Sequence, residues 1–336
     1  MNLVEKNFKC STVAILGRPN AGKSTLLNAL LEAEFSGTSN RPQTTRQNIK
    51  GILQRYKQED GDSNKRWVGQ HVLVDTPGVN LRKGLLDRSM YSAIEEAMRE
   101  VDIGIWVADC RSFEYDLDDV AMGRQGRDDR LALWLKDQVT KDTNTKWILV
   151  LSKVDTKSKA DLLPLMEKAR EVMPEFTDIV PLSAIRGLAD LKSNVMALLS
   201  VLDDSAPVNP PLYPEEAWTD LNSRDLLRNL IRESIFRTSF KEVPYECDCM
   251  IDFWKDPEGT RKMTEVDATI VVARDALKRI LVGKGGQKIK EIGMTVRKRY
   301  EDVTGEPIVL RLFVKVIEKW HLLPTKLKEL GYQPGK

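Results

Sequence analysis

The octapeptide Gly17-Arg18-Pro19-Asn20-Ala21-Gly22-Lys23-Ser24 constrains this chain more than any other segment. Gly-x-x-x-x-Gly-Lys-Ser needs a β-strand before it and a helix after it. Its glycines then let backbone N–H groups close around phosphates at the helix N-terminus. Both flanks fit: apolar Thr12–Leu16 precedes the loop, and Lys23–Glu34 reads as a helix. Lys23 is expected to bring positive charge to the outer phosphates and Ser24 a hydroxyl to Mg²⁺, with Thr25 among the nucleotide-binding residues.

Alternation of short apolar runs with helical stretches continues for about 200 residues. The runs Thr12–Leu16, His71–Val74, Ile103–Ala108, Lys146–Leu151 and Asp178–Leu182 each precede a helical pattern. That order predicts an α/β fold, a mostly parallel sheet with helices on both faces. Gly51–Tyr56 and Arg66–Val74 flank a turn-rich stretch and read as a hairpin, which adds one antiparallel strand. Arg111–Arg130 is polar and reads as an extended surface loop. Pro207, Pro210, Pro211 and Pro214 crowd one short segment. Proline cannot continue a helix and favours extended chain, so 204–216 reads as a linker between a domain at 1–203 and a second at 217–336. The second follows another order: a helix at Ala217–Phe240, strands Cys247–Trp254 and Glu265–Ala273, two short helices, the strand Pro307–Val316 and a tail helix.

Two further motifs follow the phosphate loop. Asp75-Thr76-Pro77-Gly78 ends an apolar strand, which places Asp75 to hold Mg²⁺ through its water shell and the Gly78 N–H to meet a γ-phosphate. Asp-x-x-Gly alone is a common turn; its position after the loop and one hairpin gives it weight. Ser152-Lys153-Val154-Asp155 follows the strand Trp147–Leu151 and is similar to the Asn-Lys-x-Asp guanine motif. A carboxylate at 155 accepts two hydrogen bonds from guanine, and adenine offers no matching donor pair. Ser152 stands where that motif has asparagine, so the bracing of the loop is expected to be weaker. Ser183-Ala184 supplies a backbone N–H toward the guanine oxygen. Between the loop helix and the hairpin, Thr44-Thr45-Arg46 resembles a switch element, with Thr45 favoured over Thr44 as a Mg²⁺ ligand. Val79 occupies the place where Ras-like enzymes carry a water-orienting glutamine, which predicts slow intrinsic hydrolysis. Asn20 is a candidate K⁺ ligand.

Composition sets the outer bounds. The chain has 336 residues, 41% hydrophobic and 30% charged, with net charge +2. Domains run to roughly 100–200 residues, so two are expected. The four cysteines form no ligand set of zinc spacing, and Cys247 and Cys249 read as half-buried strand residues. No apolar run reaches the ~18 residues of a membrane span, and Met1–Thr12 lacks a signal core. A reducing, cytoplasmic location is the expectation.

Gly283-Lys284-Gly285-Gly286 fits the Gly-x-x-Gly loop by which KH domains clamp a nucleic-acid backbone. Between Val271 and Tyr300 nine basic residues face two acidic ones, including Lys288 and Lys290 beside the loop. Such an excess favours phosphate backbones. The alternative is an ordinary solvated helix face. Ile289, Ile292 and Val296 recur at helical spacing and read as core.

Taken together, Gly17–Thr25, Gln43–Arg46, Asp75–Gly78, Ser152–Asp155, Ser183–Ala184, Pro244-Tyr245, Val282–Lys290 and Leu330-Gly331-Tyr332 resemble the Era family over nearly the whole chain. The resemblance implies a P-loop GTPase domain followed by an α+β type II KH domain. It also implies GTP/GDP and Mg²⁺ as ligands, and a role in small ribosomal subunit assembly with contact to the 3′ end of small-subunit ribosomal RNA. Weak peripheral association with the inner membrane face follows from the same resemblance; no DNA is expected as a partner. Two other readings compete: an RNA-binding protein whose P-loop domain is structural, and a GTPase of tRNA modification or membrane transport.

Overall fold

β1 (Lys9–Leu16) is apolar along its second half because it lies between two other parallel strands; Val13, Ala14 and Ile15 are fully buried. The structure is a computed structural model that describes residues 7–31, 46–58, 65–78, 85–99, 101–122, 131–141, 144–186, 194–238, 246–258 and 262–332. The chain divides into two units. The first comprises 1–33, 48–81 and 93–220; the second comprises 221–336 together with 34–47 and 82–92.

In the first unit, β1 is followed by α1 (Lys23–Leu31), β2 (Ile49–Gln58), β3 (Lys65–Asp75), α2 (Leu85–Ala97) and β4 (Ile103–Asp109). Then come α3 (Phe113–Ala121), α4 (Leu131–Lys141), β5 (Lys146–Ser152), α5 (Lys159–Val172), β6 (Phe176–Pro181) and α6 (Val195–Ser205). The sheet order is β2-β3-β1-β4-β5-β6, with β2 antiparallel to β3 and the other pairs parallel. Central strands buried on both faces must be continuously apolar, as Trp147–Leu151 is. The C-terminal strand ends then carry the loops, where ligands bind in open α/β sheets.

Two expectations change. Arg111–Arg130 is not all loop, because Phe113–Ala121 forms α3, with Phe113, Leu117 and Val120 buried at helical spacing; of that stretch, 123–130 lie outside the described residues. The proline-rich segment read as a linker is built into the first unit, which runs to Asp220. Prolines remove N–H donors, and the amides that remain are taken up by the sheet. Cys10 N donates to Pro207 O (3.1 Å), Asn209 N to Phe8 O (3.1 Å), and Leu212 N and Tyr213 N to Gln70 Oε1 (2.9 and 3.0 Å). Ile52 N donates to Trp218 O (2.9 Å) and Thr219 Oγ1 to Lys50 O (2.7 Å), so this strap closes the open edge of β2. At its base Asp203 receives Arg55 through two bonds (3.0 and 2.7 Å) and contacts His71 Nε2 (2.9 Å). Burial alone would raise the Asp203 carboxyl, but those partners outweigh it and bring it down to about 2.

The second unit contains α7 (Ser223–Thr238), β7 (Cys247–Lys255), β8 (Thr264–Val272), α8 (Asp275–Val282), α9 (Gln287–Thr304), β9 (Ile308–Val316) and α10 (Pro324–Glu329). The sheet order is β7-β8-β9, with β7 antiparallel and β9 parallel to β8. Alternation on β8 puts Val266, Ala268 and Ile270 in the core with Leu227, Ile231, Ile292 and Val296. Cys247 and Cys249 are fully buried rather than half-buried, and burial pushes both thiols up to about 12. Among the described residues no helix is long and apolar enough to cross a membrane, and no cluster of His, Cys, Asp or Glu has the makings of a metal site.

Candidate functional site

The loop Gly17–Gly22 leaves β1 and feeds α1, as its spacing requires. Gly17 has φ +149°, and a Cβ there would lie 2.3 Å from Val107 O, so β4 packs directly on the loop backbone. Gly78 crosses the loop as closely: a Cβ would lie 2.8 Å from Pro19 Cα and 3.0 Å from Lys23 Nζ. Asn20 also takes a positive φ, 63°, at the exposed turn of the loop, while Ala21 is buried.

Lys23 is buried, and its Nζ donates to Gly17 O (3.0 Å) and Arg18 O (3.1 Å). Burial lowers its pKa to about 8 against the opposing pull of Asp75. A phosphate in the loop offers the compensating charge. Ser24 Oγ donates to Asp75 Oδ2 at 2.6 Å, which joins the end of β3 to the start of α1. A hydroxyl and a carboxylate this close form a hard oxygen donor set of the kind Mg²⁺ takes when phosphates supply its other ligands. Thr76 is anchored to β1 by Oγ1 to Ile15 O (2.7 Å), and Pro77 and Gly78 are buried behind it. Thr25 is half-buried on the first turn of α1. Arg18 pairs with Asp116 of α3.

The residues expected to read the base lie at the ends of β5 and β6. Lys153 adopts φ 59°, which turns the chain so that Asp155 stands exposed in a short 3₁₀ turn. Ser183 Oγ donates to Asp155 Oδ1 (2.5 Å) and fixes the carboxylate, with Ala184 next in the chain. Ser152 retains a brace. Its buried hydroxyl lies 2.5 Å from Ala21 O and 3.1 Å from Ala108 O, so its single proton ties β5 to the phosphate loop. An asparagine amide would have two protons for this task. Lys153 Nζ donates to Asn20 O and reaches Asp109 Oδ2 (2.9 Å). Burial would raise the Asp109 carboxyl, but Arg111 and Lys153 hold it well below the usual range. Asp109 and Asp116 were not singled out in the sequence; the one available signal is that Asp109 ends an apolar strand beside the base-reading strand.

Thr44, Thr45 and Val79 lie outside the described residues. Arg46 is described, and it is buried within the second unit.

The Gly283–Gly286 loop joins α8 to α9, with φ of 71°, 59° and 76° at Gly283, Gly285 and Gly286. A Cβ at Gly283 would press Lys288 Cβ at 2.8 Å, whereas at Gly285 and Gly286 nothing lies within 4 Å. Lys284 and Lys290 are exposed and Lys288 is half-buried. Lys278, Arg279, Arg297 and Lys298 are exposed nearby, but Arg274 pairs with Glu246 (2.8 Å) and Arg299 with buried Glu233 (2.6 Å). The cationic face is therefore smaller than the composition suggested. Ile292 and Val296 are core, Ile289 is half-buried and Ile280 is exposed beside the loop.

Comparisons with known proteins match segments in both halves of the chain. Residues 12–153 match the family model described as 50S ribosome-binding GTPase, and residues 250–321 match the KH domain. The chain is 32% identical over 331 residues to GTPase Era of Geotalea uraniireducens, covering 98% of this chain and 100% of that one. It is 34% identical over 325 residues to GTPase Era of Bradyrhizobium diazoefficiens, covering 97% and 94%. A variant of Aquifex aeolicus Era bound to GDP·AlF₄⁻ superimposes with TM-score 0.81 at 30% identity, covering 97% of this chain and 99% of that one. A structure of Era with MgGDPNP and nucleotides 1506–1542 of 16S ribosomal RNA gives TM-score 0.80 at 31% identity, with the same coverage.

Proposed function

This chain belongs to the Era family of GTPases, and from that premise we propose that it binds the 3′ end of small-subunit ribosomal RNA and acts as a nucleotide-controlled switch in assembly of the small ribosomal subunit. The observation that carries the reading is the presence, in one chain, of a braced guanine-nucleotide site and an open Gly-x-x-Gly loop with exposed cations. A relative over nearly the full length holds MgGDPNP and 16S ribosomal RNA together. A purely structural P-loop domain would not need a fixed Asp155 carboxylate or a buried Lys23.

In this reading Gly17–Gly22 and Lys23 hold the phosphates, and Asp155 with Ser183 and Ala184 selects guanine. Ser24, Asp75 and Thr45 would hold Mg²⁺, which when bound offsets charge on the phosphate oxygens. Hydrolysis transfers the γ-phosphoryl group of GTP to water and yields GDP and phosphate. Val79 brings no group that orients water, so turnover without a partner is slow. K⁺ at Asn20 would lower the barrier by offsetting charge on the leaving oxygen; equal rates in KCl and NaCl at matched ionic strength would remove it from the account. The RNA site comprises Gly283, Lys284, Gly285, Gly286, Lys288 and Lys290, with Ile280 and Ile289 along the base groove. The chain acts in the cytoplasm, with any attachment to the inner membrane face peripheral.

Crosslinking in cells followed by sequencing of the bound RNA tests the target. Reads should concentrate at the 3′ end of small-subunit ribosomal RNA and disappear when Lys284→Asp and Gly285→Asp are combined. Reads spread over transfer RNA, or unchanged by that double substitution, would contradict the reading.

A further inference from the structure

Ser152 and Lys153 reach two consecutive carbonyls of the phosphate loop. Ser152 Oγ lies 2.5 Å from Ala21 O, and Lys153 Nζ donates to Asn20 O. Together they join the end of β5 to that loop. The first link is incomplete, because the one Ser152 proton also faces Ala108 O at 3.1 Å. An asparagine amide, which the guanine motif has at this place, carries a proton for each of two acceptors. More of the joining therefore falls to Lys153.

A lysine is a poor strut by itself, since its flexible stem loses rotamer freedom when the ammonium is fixed. Here the segment that ends β4 removes that freedom. Asp109 Oδ2 lies 2.9 Å from Lys153 Nζ, with the carboxylate 14% exposed and the lysine 26%. Asp109 is itself fixed: Arg111 donates to it from Nε (2.9 Å), Nη2 (2.5 Å) and the main-chain N (3.0 Å). The main chains are clamped in parallel. Cys110 N donates to Ser152 O (3.1 Å), and Cys110 Sγ to Lys153 O (3.3 Å). These contacts hold Lys153 at φ 59°, a conformation unfavourable for any residue with a Cβ. A pair of exposed charges contributes little. A shielded carboxylate with charged donors on both oxygens contributes more. Arg111, at 55% exposure, serves mainly to aim that carboxylate.

We propose that Asp109, aimed by Arg111, is a positioning residue for guanine-nucleotide binding: acting through Lys153, it supplies the joining of β5 to the phosphate loop that Ser152 gives only in part. The proposal rests on the guanine-nucleotide site of the function proposed above. It requires positions 109 and 152 to be energetically coupled. It also requires the coupling to appear in nucleotide affinity and not in hydrolysis, because Asp109 ends β4, two strands from Asp75 on β3.

The test is a double-mutant cycle on GDP affinity, read by calorimetry on the full chain. Asp109→Asn keeps the shape and removes the charge. It should weaken GDP binding by about ten-fold, as for the loss of one charged hydrogen bond. In the Ser152→Asn background, which restores the amide, the same change should weaken it by about two-fold or less. Kinetics gives a reading that a general loss of structure would not: Asp109→Asn should raise KM for GTP about ten-fold and leave kcat within about two-fold. Should Asp109→Asn fail to fold, Arg111→Ala releases the same carboxylate from an exposed position. Its loss of about three-fold should likewise vanish in the Ser152→Asn background. Equal losses in the two backgrounds, or a fall in kcat with KM unchanged, overturns the role of Asp109 and leaves the nucleotide site in place. Failure of the unsubstituted protein to bind GDP would instead defeat the site itself.

Discussion

The phosphate loop and the Gly283–Gly286 loop both depend on glycine, and they do so for different physical reasons. At Gly17 and Gly78 neighbouring backbone occupies the space a Cβ would need. At Gly285 and Gly286 that space is open, and only the positive φ asks for glycine. The same contrast runs through the polar groups. Lys23, Ser24, Ser152 and Asp155 are held by protein partners before any ligand arrives, whereas Lys284 and Lys290 are exposed. A braced site discriminates among ligands, because a wrong one leaves buried groups unpaired. An exposed cationic loop attracts any phosphate chain and leaves selection to the neighbouring groove.

Base choice should show the largest effect. Asp155→Asn replaces two acceptors by one acceptor and one donor, which suits xanthine better than guanine. GTP affinity should fall by about 10³-fold or more while XTP affinity rises, by analogy with other polar-pocket rejections. Titration with both nucleotides checks this, and unchanged GTP affinity would remove Asp155 from the site.

Paired glycine substitutions test the comparison itself. Gly17→Ala forces a Cβ against Val107 O and should weaken GDP binding by about a hundred-fold or abolish folding. Gly285→Ala pays only for its backbone conformation, about 1 kcal/mol, and should lower the melting temperature by a few degrees. Equal effects of the two changes would erase the distinction.

Ser152→Ala removes a single brace and should cost about 1 kcal/mol, or about five-fold in GDP affinity. Calorimetry of the variant measures it. The smallest effect is protonic. Lys23 carries a pKa of about 8, so part of it is neutral near that pH, and a bound phosphate favours the charged form. Nucleotide binding at pH 8 should therefore take up about half a proton, and affinity should fall about two-fold between pH 7 and 8. Titration in buffers of different ionisation enthalpy reads the uptake directly; no uptake would show that the buried amine stays fully charged.

The placement of the candidate nucleotide-site loops was legible because their residues are contiguous and their order along the chain matches the order of strand ends. Gly17–Ser24, Asp75–Gly78 and Ser152–Asp155 each name a loop after one strand. What was not legible depends on contacts between distant positions. Nothing near Arg46 indicates that Asp248 and Tyr332 would receive it. The prolines at 207–214 announce missing donors, but not that Gln70 and β2 would take up the remaining amides. Cys247 looked half-buried because its neighbours in the sequence do not show what covers that face of β7, which α7 closes: Cys249 Sγ, two residues on, lies 3.3 Å from Arg228 O. The loss of two cations from the candidate RNA face likewise turns on Glu233 and Glu246, which precede the loop by about 40 residues or more.

The central claim is that two units carry two separate binding chemistries. The direct measurement is binding of GDP and, in nucleotide-free buffer, of the 3′-end oligonucleotide to two variants: Asp155→Asn, and Lys284→Asp combined with Gly285→Asp. The first should lose GDP and keep RNA, and the second should lose RNA, by about ten-fold or more, and keep GDP. If the double variant binds the oligonucleotide as tightly as the unsubstituted protein, the Gly283–Gly286 loop is not the RNA site and the exposed cations around it are an ordinary solvated surface.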